Sequence, residues 1–399
     1  MLHIKPILSS LLRSKSSPLL LLLQMTLSVA IVANASFIIH ERLALMQRDS
    51  GIAESEILTF GLYNFDPDID SLAQNKRDQQ ILRSLPNVLD AVSTNMLPLS
   101  GGGWSSTFSL GPDVETAKSS PQSAVYLGTE HSINTLGLKL VEGRNFYPHE
   151  IQDSLNASGQ LAIVSSAFAN TAWPGESALG KVLYNNADEH VTVIGVVEKF
   201  QGAWIDSPDL EYSVLQNVDY GGRSYMVRAK AEHISELKDV IVTALLQENP
   251  NRVIDDFSTV SALKQSSYRD HELMVTVLSI MIALLLLITS LGLTGMVMFN
   301  IQRRTKQIGT RRALGAKKRD IVSYFLVENY LICLVSGVIG GLLAIQLGQQ
   351  LMKWYSLPML EPIYPILTVA GLLLTTTFAV IFPARKAANI SPATATRSV

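Results

Sequence analysis

The chain has 399 residues, 47% of them hydrophobic and 17% charged, with a mean hydropathy of +0.24. That is too apolar for a wholly soluble protein and too polar for an all-membrane bundle, so a membrane part joined to a water-exposed part is expected. The balance of 32 basic and 34 acidic side chains hides two opposite regions: residues 41–271 carry 30 acids and 17 bases, net −13, and the remainder 4 and 15, net +11, which argues against nucleic acid as a partner of the acidic region.

Four apolar segments, 18–39, 273–299, 325–352 and 363–382, approach or exceed the roughly 20 residues a helix needs to cross about 30 Å of hydrocarbon. The first follows Lys5, Arg13 and Lys15 and contains Ala33-Asn34-Ala35, the outline of a cleavable secretory signal. Its apolar run continues through "SFII" beyond that site, so a retained span over 18–40 is expected, extending as a stalk to about residue 50. Residues 41–271 then form one external domain. Its two ends read alike: "EILTFGLYNF", "RDQQILRSLPNV" and "DAVSTNML" give strand, helix, strand, and "RSYMVRA", "ISELKDVIVTALLQEN" and "RVIDDFSTV" repeat the order. These ends make a first lobe over 52–99 and 216–260, with a second lobe inserted over 100–215.

The second span, 272–300, holds no charge from 273 to 299. A basic loop over 301–322 follows, then a third span over 323–352, a loop over 353–362 with one Lys and one Glu, a fourth span over 363–384 and a tail over 385–399 with Arg385, Lys386 and Arg397. The positive-inside rule places the N-terminus 1–17, the basic loop and the tail in the cytoplasm, and residues 41–271 and 353–362 outside. The expected fold is a membrane protein of four transmembrane helices, with a large α+β extracytoplasmic domain inserted between helices 1 and 2.

Chemistry-bearing residues are sparse. The one cysteine, Cys333, lies in the third span, so no intrachain disulfide or cysteine metal site forms. His131, His149, His190 and His233 are scattered without an H-E-x-x-H pattern, no metal or cofactor is expected, and Ser177 in "WPGESALG" reads as a loop or cap residue. Trp173 and Trp204 suit apolar packing before substrate contact. No G-x-x-x-x-G-K-[ST] is present, and "GGGWSS" at 101–106 has neither the lysine nor the spacing to cradle phosphate. Within the third span, Ser336, Gly337, Gly340 and Gly341, with Gly348 beyond, place small residues at helical spacing for close helix approach. Glu328 lies one to two turns in, within reach of the basic loop, and an ion pair is expected there rather than a proton relay.

The stretch "RRTKQIGTRRALGAKKRD", 303–320, holds eight basic residues and one acid. It reads as a topology signal, as a surface for anionic headgroups, or as a docking surface of short amphipathic helices bent at Gly315, and the pattern leaves the three open.

The run "QIGTRRALGAKKRDIVSYFLVENYLICLVSGVIGGLLAIQLG" resembles the hallmark of the MacB/FtsX-like permeases of ABC transporters, which carry Glu-Ile-Gly-Ile-Arg-Arg-Ala-Leu-Gly-Ala after their second span. "LGLKLVEGRNF", "LAIVSSAFANTAWPGESALGKVL", "VTVIGVVEKF" and "FPARKAANISPATATR" extend the resemblance over nearly the whole chain. Gln307 and Thr310 depart from the usual Glu and Ile, so an ion pair made by that glutamate has no counterpart here. The resemblance implies a coupling helix on a separate ABC ATPase dimer, with Ile308, Gly309, Arg311, Arg312, Ala313, Leu314, Gly315 and Ala316 at the contact. Arg311 and Arg312 would make charged contacts, and Leu314, Gly315 and Ala316 a close-packed apolar surface. It further implies a two-lobed periplasmic domain on stalks at 40–49 and 259–273, pairing with a second copy or sister permease, and location in the bacterial inner membrane. The expected work is mechanotransmission, driving export of a drug, peptide or other periplasmic substrate, with an adaptor and outer-membrane channel as further partners. Lipoprotein release and ATP-driven regulation of a cell-wall hydrolase are the alternatives.

Overall fold

The computed structural model describes residues 16–66, 69–155, 159–185, 189–355 and 359–389. Lys5, Arg13, Lys15 and the tail beyond 389, with Arg397, lie outside them. In chain order the elements are α1 (Ser16–Met46), β1 (Ile57–Asn64), α2 (Ser71–Ser84), β2 (Val88–Thr94), β3 (Ser105–Ser106), β4 (Ser123–Leu127), α3 (Ser132–Leu136), β5 (Leu140–Gly143), β6 (Gln160–Ser165), α4 (Ser166–Ala172), β7 (Val182–Tyr184), β8 (His190–Val197), β9 (Ser213–Gln216), β10 (Ser224–Ala229), α5 (Ile234–Glu248), β11 (Arg252–Thr259), α6 (Val260–Ser267), α7 (Arg269–Arg303), α8 (Thr305–Ala313), α9 (Lys318–Tyr355) and α10 (Ile363–Ala388). They divide into two compact units, Arg48–Asp270 and the described residues on either side of it.

The flanking unit contains four helices long and apolar enough to cross a membrane: α1, α7, α9 and α10. Helix α9 packs against both α1 and α10. Where it meets α1, a Cβ on Gly340 would lie 2.6 Å from the Thr26 carbonyl oxygen and 2.7 Å from the Val29 Cβ, so only glycine permits this approach. Gly337 makes the equivalent opening toward Val369 of α10, and Gly341 leaves ordinary contact distance, 3.6 Å, to Pro365. Polar side chains add cross-links that hydrocarbon does not weaken. Ser336 Oγ donates to the Leu22 carbonyl at 3.2 Å, and Asn34 Nδ2 donates to the carbonyls of Ala30 at 2.9 Å and Ala344 at 3.0 Å. The Ala33-Asn34-Ala35 triplet is therefore buried in mid-helix, where its asparagine joins α1 to α9. In α7, Leu293, Met296 and Val297 are buried, whereas Val277, Ile280, Leu284, Leu287, Ile288 and Leu291 are exposed.

In the central unit, a four-stranded antiparallel sheet has the order β11-β1-β10-β2. Each strand–helix–strand unit, β1-α2-β2 and β10-α5-β11, spans one intervening strand of the other, a split β-α-β arrangement. One sheet face, with Leu58, Phe60, Tyr225 and Val227, is covered by Leu82 of α2 and Leu237, Ile241 and Leu245 of α5. Between β2 and β10 the chain builds a second, seven-stranded sheet, β3-β4-β9-β6-β8-β5 with β7 on β8. Its core includes Val164, Phe168, Val193 and Val214, and Trp173 packs there edge-on to Phe168. Strand β9 belongs to this sheet through Gln216, so the chain leaves the inserted lobe slightly later than its sequence suggests.

The inward face of α2 is polar. Asp70 caps the helix by accepting from the N–H groups of Leu72 and Ala73. Asp78 accepts through both oxygens from Arg252 Nη1, at 2.8 Å each, with both side chains fully buried. Asn75 Nδ2 donates to the Gly222 carbonyl and the Tyr225 hydroxyl, and Gln79 Nε2 donates to Ser93 Oγ and to Asp219 Oδ2 at 3.1 Å.

The chain segments entering and leaving this unit are tied together. Lys264 Nζ of α6 donates to Glu54 at 2.7 Å and to the Arg48 carbonyl at 3.0 Å. The stalk read over 259–273 is not one helix: α6 ends at Ser267, Tyr268 caps it by donating its N–H to the Lys264 carbonyl, and α7 starts afresh at Arg269. Likewise α1 ends at Met46, short of residue 50.

Two outcomes are expected. Gly340→Val should lower the unfolding midpoint in detergent, an overpacking penalty of about 1–3 kcal/mol, whereas Gly371→Val, at a position with nothing within 4 Å, should leave it in place. Burial pushes the Asp219 carboxyl above its ordinary 3.8, against the hydrogen bond from Gln79 and the Gly221 N–H. An acid raised in the folded state contributes stability that is complete below its unfolded value and lost as pH rises through its folded one. Asp219→Asn removes the titrating group and should therefore flatten the fall in stability that begins above pH 3.8, as checked by melts across a pH series, at a pH-independent cost because its NH2 would face one of the two donors, Gln79 or the Gly221 N–H.

Candidate functional site

The basic stretch folds as one helix and one turn. Helix α7 runs to Arg303, whose guanidinium lies 5.4 Å from the centre of the Phe299 ring. Helix α8 follows, and its buried side presents Ile308 and Gly309. Ile308 belongs to one buried apolar cluster with Val297 of α7, Ile321 and Phe325 of α9, and Val380 and Ala384 of α10. The helix is thereby seated on the ends of three long helices by apolar contact.

Its C-terminus is closed by backbone chemistry. Gly315 has φ +94°, a left-handed conformation that glycine adopts without strain. The Gly315 N–H donates to the Arg312 carbonyl at 3.1 Å and the Ala316 N–H to the Arg311 carbonyl at 3.0 Å, the paired bonds of a Schellman cap. Arg312 Nη1 adds a bond to the Ala316 carbonyl at 3.1 Å. Across the turn, Asp320 accepts from the Lys317 N–H at 2.9 Å and starts α9. Beyond Gly315 there is thus no second short helix: the chain passes directly into the long α9.

A second cluster fixes the other end. Arg304 Nη1 lies 3.2 Å from both Glu328 Oε2 and the Tyr324 hydroxyl. Glu328 is 2% exposed, so a guanidinium partner removes the penalty of an isolated buried carboxylate. Tyr324 also has the Arg311 guanidinium over its ring, 5.2 Å from the centroid. Arg304, Gln307, Arg311 and Tyr324 border a cleft of about 30 Å3.

The expected contact residues therefore separate into two groups. Ile308 and Gly309 are buried, Arg311 stacks on Tyr324, and Arg312 and Gly315 hold the turn. Leu314, at the turn, is 83% exposed, with Ala316 half-buried beside it, so Leu314, Gly315 and Ala316 form a protruding turn instead of a flat apolar surface. Lys306, Lys317, Lys318 and Arg319 are exposed, as are Thr310 and Ala313. Ser336, Gly337, Gly340 and Gly341 lie away from this cluster, at the α9 contacts already described. Tyr324 and Arg304 carry much of the arrangement and were not singled out from the sequence. The available signal was the series Asp320, Tyr324, Glu328, polar tips four residues apart at the entry to an apolar helix.

The histidines and Ser177 lie elsewhere. His131 Nδ1 pairs with Asp90 at 2.9 Å. Although burial pushes the Asp90 carboxyl up, the hydrogen bonds from His131 and Asn134 hold it below its ordinary range. Ser177 donates to Glu142. Among the described residues no group of three or more His, Cys, Asp or Glu could hold a metal ion.

Arg312→Met should remove the side-chain bond on Ala316 and loosen the turn by about 1 kcal/mol. Hydrogen exchange at the Gly315 and Ala316 amides should speed up roughly fivefold, with the span amides unaffected.

Comparison with known proteins covers both units. Residues 25–244 match a family model described as the MacB-like periplasmic core domain, and residues 279–392 match the FtsX-like permease C-terminal model. The macrolide export ATP-binding/permease protein MacB of Mannheimia succiniciproducens is 26% identical over 282 residues, covering 67% of this chain and 42% of that protein. An uncharacterized ABC transporter permease of Bacillus subtilis, YknZ, is 24% identical over 278 residues, covering 66% of this chain and 67% of that one. The chain thus spans about two fifths of the MacB relative's length. The crystal structure of the periplasmic region of MacB from Actinobacillus actinomycetemcomitans aligns with a TM-score of 0.34 at 17% identity, covering 56% of this chain and 97% of that one.

Proposed function

This chain belongs to the MacB/FtsX-like family of ABC transporter permeases, and from that premise we propose that it couples ATP hydrolysis by a separate ATPase subunit to movement of its extracytoplasmic domain, exporting a drug, peptide or other substrate already outside the inner membrane. The observation that carries the reading is the α8 turn: an exposed Leu314 flanked in the chain by Arg311, Lys317, Lys318 and Arg319, following a helix whose buried side joins an apolar cluster with α7, α9 and α10. A partner with an apolar socket and an acidic rim fits that surface. Displacing α8 would disturb a buried apolar cluster that Ile308 shares with residues of all three long helices.

In this reading the ATP energy comes from an ABC ATPase dimer docked at the turn. A second permease copy or sister chain, an adaptor and an outer-membrane channel complete the assembly. The tie from Lys264 to Glu54 and Arg48 supports mechanotransmission, since the segments following α1 and preceding α7 are held to each other and would respond together.

Leu314→Asp is expected to weaken capture of the ATPase subunit, and the ATPase activity it stimulates, at least tenfold, the loss typical of an apolar anchor, while membrane insertion remains. Arg311→Glu with Arg312→Glu should weaken docking as well, with faster exchange in the turn. Intact assembly with Leu314→Asp would remove the docking assignment. For topology, cysteines at Thr116 and Lys317 in a Cys333→Ala background should react with impermeant reagents from opposite sides of the membrane. Reaction of both from one side would overturn the orientation.

A further inference from the structure

We propose that the inserted lobe carries a binding site for a small organic cation, an ammonium or guanidinium group borne on a compact apolar body. The site is a cavity of about 210 Å3 between the β3–β4 edge and the loop leading to β9, lined by Trp204, Asp209, Ser105, Gln122, Ser123 and Gly202 among others. The loop is pinned on itself: the Gly202 N–H donates to the Leu210 carbonyl at 2.7 Å, the Ser207 N–H to the Trp204 carbonyl at 3.1 Å, and the Asp209 N–H to Ser207 Oγ at 3.1 Å. The backbone that carries Trp204 and Asp209 is therefore fixed before any ligand arrives. On the facing wall, Gln122 Nε2 donates to Ser105 Oγ at 2.9 Å, leaving the amide oxygen of Gln122 as an acceptor. Gly202 lets the loop lie close against β4, because a Cβ there would come within 2.9 Å of the Ala124 Cβ.

Three features select a cation. Among the described residues the Trp204 ring has no aromatic or cationic partner, and the Asp209 carboxylate has no hydrogen-bond or ion-pair partner. An indole face is the best aromatic surface for a cation, and an ammonium brings three donors and no acceptor, which suits a wall of a carboxylate and an amide oxygen. The net charge of −13 over residues 41–271 draws cations to the lobe before contact. The volume lies below the roughly 300–1,000 Å3 of drug-sized sites, so the cavity takes a cationic head group and its immediate apolar neighbour.

Benzylamine and its neutral counterpart benzyl alcohol, titrated calorimetrically into the purified full chain at pH 7, test this. Benzylamine is expected to bind one per chain and benzyl alcohol at least about tenfold more weakly. Asp209→Asn and Trp204→Leu should each weaken benzylamine about tenfold, with an unchanged unfolding midpoint for Asp209→Asn showing that the lobe is intact. Equal binding of the two probes, benzylamine affinity unchanged in both variants, or no binding at millimolar concentration would overturn the proposal. No ATPase is needed in the measurement, so its result is independent of the transport reading.

Discussion

The membrane unit is assembled on α9, and its assembly depends on how closely α9 approaches α1 at Gly340. In hydrocarbon there is little hydrophobic gain in bringing two apolar helices together, so close packing and buried hydrogen bonds must hold them. Gly340 supplies the first, and Ser336 and Asn34 supply the second. With α9 so placed, its N-terminal end offers Ile321, Tyr324, Phe325 and Glu328 as the seat for α8. The basic turn thus takes its position from a helix contact well inside the bilayer.

The central unit is held by different means. Helix α2 lays Gln74, Asn75, Asp78 and Gln79 against its sheet, where apolar side chains would be the simpler choice. Their partners come from β2, β10, β11 and the 217–222 segment, so the network requires all these strands to be in register before its bonds are complete. Removing one member strands the rest, since an unpaired buried polar group costs more than the bond itself contributes. Asp219 is at the margin of this network, a buried carboxyl with an amide and a backbone N–H as its donors.

The four spans were legible because hydropathy is a local property, and the segment from 273 to 299 announces itself by having no charge. The strand–helix–strand order at both ends of the central unit was legible for a similar reason, through periodicity. The interleaving of those two halves was not, because strand order depends on pairing between residues more than 150 positions apart, as in Phe60 opposite Tyr225. The site was only partly legible. The glycine bend at 315 followed from residue type, but the roles of Arg311 and Arg312 did not, since charge alone does not say whether a guanidinium faces outward, stacks on Tyr324 or caps a carbonyl. The polar face of α2 was invisible for the opposite reason: its pattern reads as a solvated helix until its partners are known. The break at Tyr268 also escaped detection, as neither proline nor glycine marks it.

Helix α7 stands apart from the other long helices in how little of it interlocks with protein. Over most of its length Val277, Ile280, Leu284, Leu287 and Leu291 are exposed and, among the described residues, mesh with no other helix of this chain, so a shift of α7 opens no void within the chain. Side chains meshed between α9 and α1 have no such freedom, because each step of sliding would force Gly340 past the Val29 side chain. Interlocking in the unit is therefore unevenly distributed: α1, α9 and α10 form a meshed frame, and α7 is gripped by the rest of the chain mainly around Leu293–Val297.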